Sequence, residues 1–104
     1  MMSGTAIKKS APLMSPLISV VICTYNRAAL LQDALQATCA QTLSPERFEV
    51  LVVDNGSTDA TPQLVADFCR RYAHVHYLVE PKLGLAYARN CGWRAAQGAY
   101  IAYL

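Results

Sequence analysis

Four short apolar runs, residues 17–23 (LISVVIC), 48–53 (FEVLVV), 75–79 (VHYLV) and 99–104 (AYIAYL), alternate with three stretches of helical periodicity. Runs this rich in β-branched residues, with little polar alternation, suit strands covered on both faces. Strands that alternate with amphipathic helices are joined by right-handed crossovers, which makes neighbouring strands parallel. The pattern therefore predicts an α/β chain in the order β-α-β-α-β-α-β, with helices on both faces of a sheet of about four strands.

The helices are legible from spacing and punctuation. Leu30, Leu31, Ala34, Leu35 and Thr38 recur at helical intervals, predicting a helix over about residues 27–40. Asn55, Gly56 and Ser57 form a turn, and Thr58 or Asp59 can cap a second helix with Pro62 in its first turn. Its buried stripe is Leu64, Val65, Phe68, Cys69 and Tyr72. The third helix, residues 85–97, has the small inner face Ala88, Cys91, Gly92, Ala95 and Ala96, so it can pack close to the sheet. Residues 1–16 mix Ser, Gly, Pro, Lys and Met without periodicity or a continuous apolar segment, and are expected to be a disordered leader rather than a signal peptide. Residues 17–104 then form the domain.

Composition narrows the class of function. At 104 residues, 54% hydrophobic and 15% charged, the chain is sized for one domain with a large apolar core. No apolar run reaches the ~18–20 residues of a membrane span, which leaves a soluble or peripherally membrane-associated protein. A net charge of +2 is too small to argue for a nucleic-acid partner. The charge is uneven, however: Lys82, Arg89 and Arg94 give residues 81–104 a balance of +3 with no acid. Such a cluster is either a solvated helix face or a surface for an anionic ligand. Cys23, Cys39, Cys69 and Cys91 form no CxxC pair and sit in apolar stretches, as reduced core thiols of a cytoplasmic protein do. A disulfide pair stays open as an alternative.

Parallel sheets bind ligands beyond the carboxyl ends of their strands. That position holds Thr24, Tyr25, Asn26 and Arg27 after the first strand, Asp54 to Asp59 after the second, and Pro81 to Gly84 after the third, with Arg89 and Asn90 just inside the next helix. An aromatic ring, a carboxylate and cations together suit a nucleotide: a face for the base, an acceptor for its donors and charge for its phosphates. Asp54, directly after VLVV, is the carboxylate expected to meet the ligand, whereas Ser57, Thr58 and Asp59 are expected to be caps. The loop CTYNRAAL lacks the GxGxxG of a dinucleotide site, and no GxxxxGK[ST] is present. His74 and His76, at the far end of the third strand, are expected to be surface residues rather than metal ligands.

SVVICTYNR, VLVVDNGSTDAT and EPKLGLAYARNCGWRAAQGAYIAYL, in this order, resemble the opening half of a family 2 glycosyltransferase with the GT-A fold, over about 88 of the 104 residues. The resemblance implies a Rossmann-like, three-layer α/β/α partial domain with a mainly parallel sheet. It implies a nucleotide-sugar donor of the UDP type, held by Thr24, Tyr25, Arg27, Asp54, Lys82, Gly84 and Arg89. Lys82 stands where many members carry Asn. In the family an acidic DxD-type motif follows the strand matching AYIAYL and holds Mg²⁺ or Mn²⁺ on the diphosphate. Leu104 precedes any such acid, so the expectation is a truncated domain without its catalytic residues or metal motif and with little or no turnover. The full-length family transfers a sugar to an acceptor hydroxyl, usually with inversion, at the cytoplasmic side or the inner face of a membrane.

Two alternatives stand beside this reading. One is a non-catalytic assembly module, because a fourth strand without its later neighbours would leave a sheet edge open for self-association. The other is a dinucleotide-binding domain, against which the glycine-free first loop argues.

Overall fold

A computed structural model describes residues 6–8, 16–41 and 44–104. Its strands are β1 (Ala6–Lys8), β2 (Ile18–Thr24), β3 (Phe48–Asp54), β4 (Val75–Val79) and β5 (Tyr100–Tyr103), and its α-helices are α1 (Ala28–Cys39), α2 (Thr61–Arg71) and α3 (Leu85–Ala95). The sheet order is β1-β5-β2-β3-β4. β5, β2, β3 and β4 are mutually parallel, with Val20 opposite both Val50 and Ala102 and Val50 opposite Val75. The chain runs outward from β2 through β3 to β4, then returns to the other side of β2 as β5. The switch point of the sheet is therefore at β2 and β5, where a doubly wound fold opens its crevice.

Alternation along each strand sorts the core into two layers. Val20, Ile22, Val50, Val52 and Val75 face α1 and α2, where they meet Leu31, Leu35, Val65 and Phe68. Val21, Leu51, Val53 and Ile101 face α3 and meet Ala88 and Ala96. The close packing expected of α3 is present: a Cβ at Gly92 would lie 2.5 Å from Val21 Cγ1. At the amino end of the sheet, the buried Ser19 hydroxyl donates to Glu49 at 2.6 Å and accepts the Gly98 N–H at 2.8 Å. Glu49 also accepts the Gln97 N–H at 2.6 Å, so the turn after α3 is tied to β2 and β3 by a satisfied polar cluster.

The amino-terminal segment differs from expectation. Residues 1–5 and 9–15 of the leader lie outside the described residues, but Ala6–Lys8 form β1, antiparallel to β5 with Ile7 opposite Ile101. The β5 edge expected to be open is thus covered. A short run with no periodicity of its own becomes a strand because β5 offers it a hydrogen-bonding row. Among the described residues, no helix is long and apolar enough to cross a membrane. All four cysteines are free and partly buried.

Candidate functional site

A cavity of about 420 Å³ opens at the carboxyl tip of β2. Ile22, Cys23, Thr24, Tyr25 and Arg27 supply one side, Leu30, Leu31 and Ala34 of α1 the next, and Asn55, Leu83, Gly84, Leu85 and Ala88 the far wall. Its lining is apolar with a few polar groups, the usual make-up of a small-molecule site. Four residues expected from the sequence, Thr24, Tyr25, Arg27 and Gly84, are brought together here. Tyr25 is 45% exposed, so its ring is available for stacking.

Asp54 is not on this lining. It is 1% exposed, its Oδ1 accepts the Ser57 N–H at 2.8 Å and its Oδ2 accepts the Tyr77 hydroxyl at 2.6 Å. The carboxylate expected to meet a ligand holds the turn after β3 and anchors it to β4. Asp54 follows Val50 and Val52 onto the face of α1 and α2, where the Ser57 N–H and the Tyr77 hydroxyl engage both of its oxygens. The residue that reaches the cavity is Asn55, read from sequence as turn chemistry. Strand period does not separate the two, because Ile22 and Cys23, from opposite faces of β2, both line the cavity. Burial, followed by the bond to Asp54, pushes the Tyr77 hydroxyl up to about 12.

Two other expected residues lie beside the cavity rather than on it. The Lys82 ammonium sits 4.4 Å from the centre of the Tyr87 ring, and the Arg89 guanidinium 5.6 Å from that of Tyr103. Arg89 is nevertheless close enough to Cys23, which lines the cavity, to counter part of the burial that raises its thiol pKa. The cation-rich final segment is thus paired with aromatic rings, while Arg94 approaches Glu80 at 4.0 Å.

The loops around the cavity are laced together. Asn26 adopts φ 50°, a left-handed conformation that asparagine tolerates better than most residues. Its Oδ1 accepts the Thr58 N–H at 2.7 Å, and its own N–H donates to Ser57 Oγ at 2.8 Å. Asp59 Oδ1 accepts the Thr61 N–H at 3.0 Å and Oδ2 accepts the Ala28 N–H at 3.2 Å, so one carboxylate serves the first residues of both α1 and α2. Thr61, through its side chain and backbone, and then Ala28 hold Asp59 below its ordinary carboxylate value. Of the three residues expected to be caps, Asp59 serves helix amino ends, whereas Ser57 and Thr58 bond Asn26 and Ala60 stands at the N-cap of α2.

A divalent metal finds no matching donor set here: among the described residues no three His, Cys, Asp or Glu side chains converge. Both Asp54 oxygens are already engaged, and no acid lines the cavity. No step is assigned to a metal held by these residues. His74, at the opposite end of β4, lies edge-on to Phe48 at 4.6 Å and to Tyr72 at 5.9 Å.

Comparison with known proteins places this geometry. The chain is 46% identical over 91 residues to a validoxylamine A glucosyltransferase of Streptomyces hygroscopicus subsp. limoneus, covering 86% of this chain and 20% of that protein. Among solved structures it superimposes on S. aureus TarS 1-349 with a TM-score of 0.77 and 27% identity, over 85% of this chain and 26% of that one. TarS has also been solved with UDP and with UDP-GlcNAc. Mannosyltransferase PcManGT from Pyrobaculum calidifontis, solved with GDP-Man and Mn²⁺, matches with a TM-score of 0.71 and 30% identity, over 86% of this chain and 27% of that one. The chain spans only 20–30% of the length of the first curated relatives it matches. The α/β sheet, the crevice at its switch point and the three motifs around it are those of GT-A glycosyltransferases, and the family-wide profile described as "Glycosyl transferase family 2" matches residues 19–104: the chain belongs to that family.

Proposed function

We propose that these residues form the nucleotide-recognising part of a glycosyltransferase donor site and take a UDP-sugar. The observation that carries the reading is the cavity at the β2 tip, where Tyr25, Thr24, Arg27, Asn55 and Gly84 converge in a chain of this family. Tyr25 offers a face to the base, the apolar α1 wall excludes water, and Arg27 supplies positive charge toward the diphosphate. Support for the ligand class comes from TarS, solved with UDP and UDP-GlcNAc, and PcManGT, solved with GDP-Man.

The transfer itself has a fixed chemical balance. The acceptor hydroxyl oxygen forms a bond to the anomeric carbon, the bond from that carbon to the diphosphate breaks, and a carboxylate base takes the hydroxyl proton. Inversion follows from a single displacement of this kind. The cavity-lining residues, none of them an acid among those described, are assigned to donor binding.

Calorimetry with UDP, UDP-GlcNAc and NAD tests the reading. UDP binds and NAD does not, and Tyr25→Ala weakens UDP roughly 5- to 150-fold, the equivalent of losing a base stack of ~1–3 kcal/mol. Clear preference for NAD would revive the dinucleotide alternative. Transfer of labelled sugar from UDP-GlcNAc with Mn²⁺ present, at the rate of a full-length relative, would show that the base had been overlooked.

A further inference from the structure

Asn55 is buried yet belongs to no regular element, and it joins all three loops around the cavity. Its backbone N–H donates to Thr24 O at the β2 tip at 2.9 Å. Its side-chain Nδ2 donates to Glu80 O at 2.8 Å and Lys82 O at 2.9 Å, and Oδ1 accepts the Gly84 N–H at 2.8 Å. Network logic fixes the orientation of the carboxamide, because two acceptors and one donor face it. The loop it grips cannot organise itself easily. Pro81 has no N–H, and Gly84 stands at φ 143°, where other residues are strained. Leu83 and Leu85, on either side of Gly84, are 63% and 55% exposed, so burial does little to hold them.

We infer that Asn55 is a positioning residue of the donor site, a latch that sets the 80–84 loop and thereby holds Leu83, Gly84 and Leu85 as the cavity's far wall. The inference rests on the nucleotide reading above but uses contacts that exist without any ligand. An aspartate would keep the acceptor for Gly84 and lose both donors, and an alanine would lose all three bonds.

Backbone NMR of the 104-residue protein separates this role from general destabilisation. In Asn55→Ala the Gly84 amide exchanges at least 10-fold faster, whereas the Ser57 amide, held by Asp54, keeps its protection. UDP affinity falls 5- to 30-fold. At saturating UDP the shifts at Thr24 and Tyr25 persist while those at Leu83, Gly84 and Leu85 disappear, a pattern that uniform loosening does not create. If Asn55→Ala fails to fold, Asn55→Asp is measured, in which Gly84 keeps its acceptor and the latch is read from lost UDP shifts at Lys82 and Leu83 and a 5- to 30-fold fall in UDP affinity, an affinity within 2-fold of the parent overturning it. Unchanged Gly84 exchange together with UDP affinity within 2-fold of the parent would overturn the latch. Absence of UDP shifts at Thr24 and Tyr25 in the parent protein would instead overturn the nucleotide reading, and Gly84 exchange would then decide the latch alone.

Discussion

The two faces of the sheet are covered in opposite ways. Against α1 and α2 the sheet meets large side chains, among them Phe68, Leu35 and Leu31, each at most 3% exposed. Against α3 it meets Ala88, Gly92 and Ala96, and the strands themselves fill the gap with Val21, Leu51, Val53 and Ile101. One face is stabilised by the volume its helices supply, the other by how near its helix can come. Polar groups follow the same division. The first face buries a carboxylate, Asp54, at the ligand end, while the second buries Glu49 at the amino end, where it ties down the turn after α3.

The sharpest way to break this contrast is to change volume in opposite directions. Phe68→Ala, which empties a site that is 1% exposed, is expected to cost about 3–5 kcal/mol in urea unfolding. A cost below ~1 kcal/mol would mean that the helix face collapses freely. Gly92→Ala adds one carbon within 2.5 Å of Val21 and is expected to cost about 1–3 kcal/mol, a sign opposite to the gain that alanine usually brings inside a helix. A stabilised Gly92→Ala variant would show that α3 has room to spare.

The smallest effect belongs to the polar division. Because burial and Asp54 raise Tyr77 from 10.0 to about 12, the folded state keeps a proton that the unfolded state releases. Stability from this pair is therefore intact below pH 10 and is lost as pH rises from 10 toward 12. Tyr77→Phe removes that segment of the stability-pH curve, and the late phase of phenolate absorbance in the parent protein shrinks in this variant. A parent whose tyrosines all ionise together near pH 10 would remove Asp54 from its anchoring role.

Most of the fold could be read from the chain because its strands are written in β-branched runs that few other structures suit. Val75–Val79 matches the expected strand residue for residue, and Gly92 among alanines announced the close approach of α3. Ala6–Lys8 could not be read, since a three-residue strand has no internal period and exists through β5. The site was half legible. Tyr25 and Arg27 follow directly from the first strand's end, but that Asp54 is engaged by Ser57 and Tyr77 while Asn55 reaches the cavity is a property of packed neighbours. Lys82 and Arg89 were placed at the right end of the sheet; their rotation onto Tyr87 and Tyr103 is a property of packed neighbours.

The contact between Gly92 and Val21 reaches further than the core. Ala88, one turn earlier on α3, is part of the cavity wall, so the height at which that helix rides is also a dimension of the ligand chamber. A single hydrogen atom in place of a methyl, one turn along from that wall, acts as the shim that sets the width of the hollow.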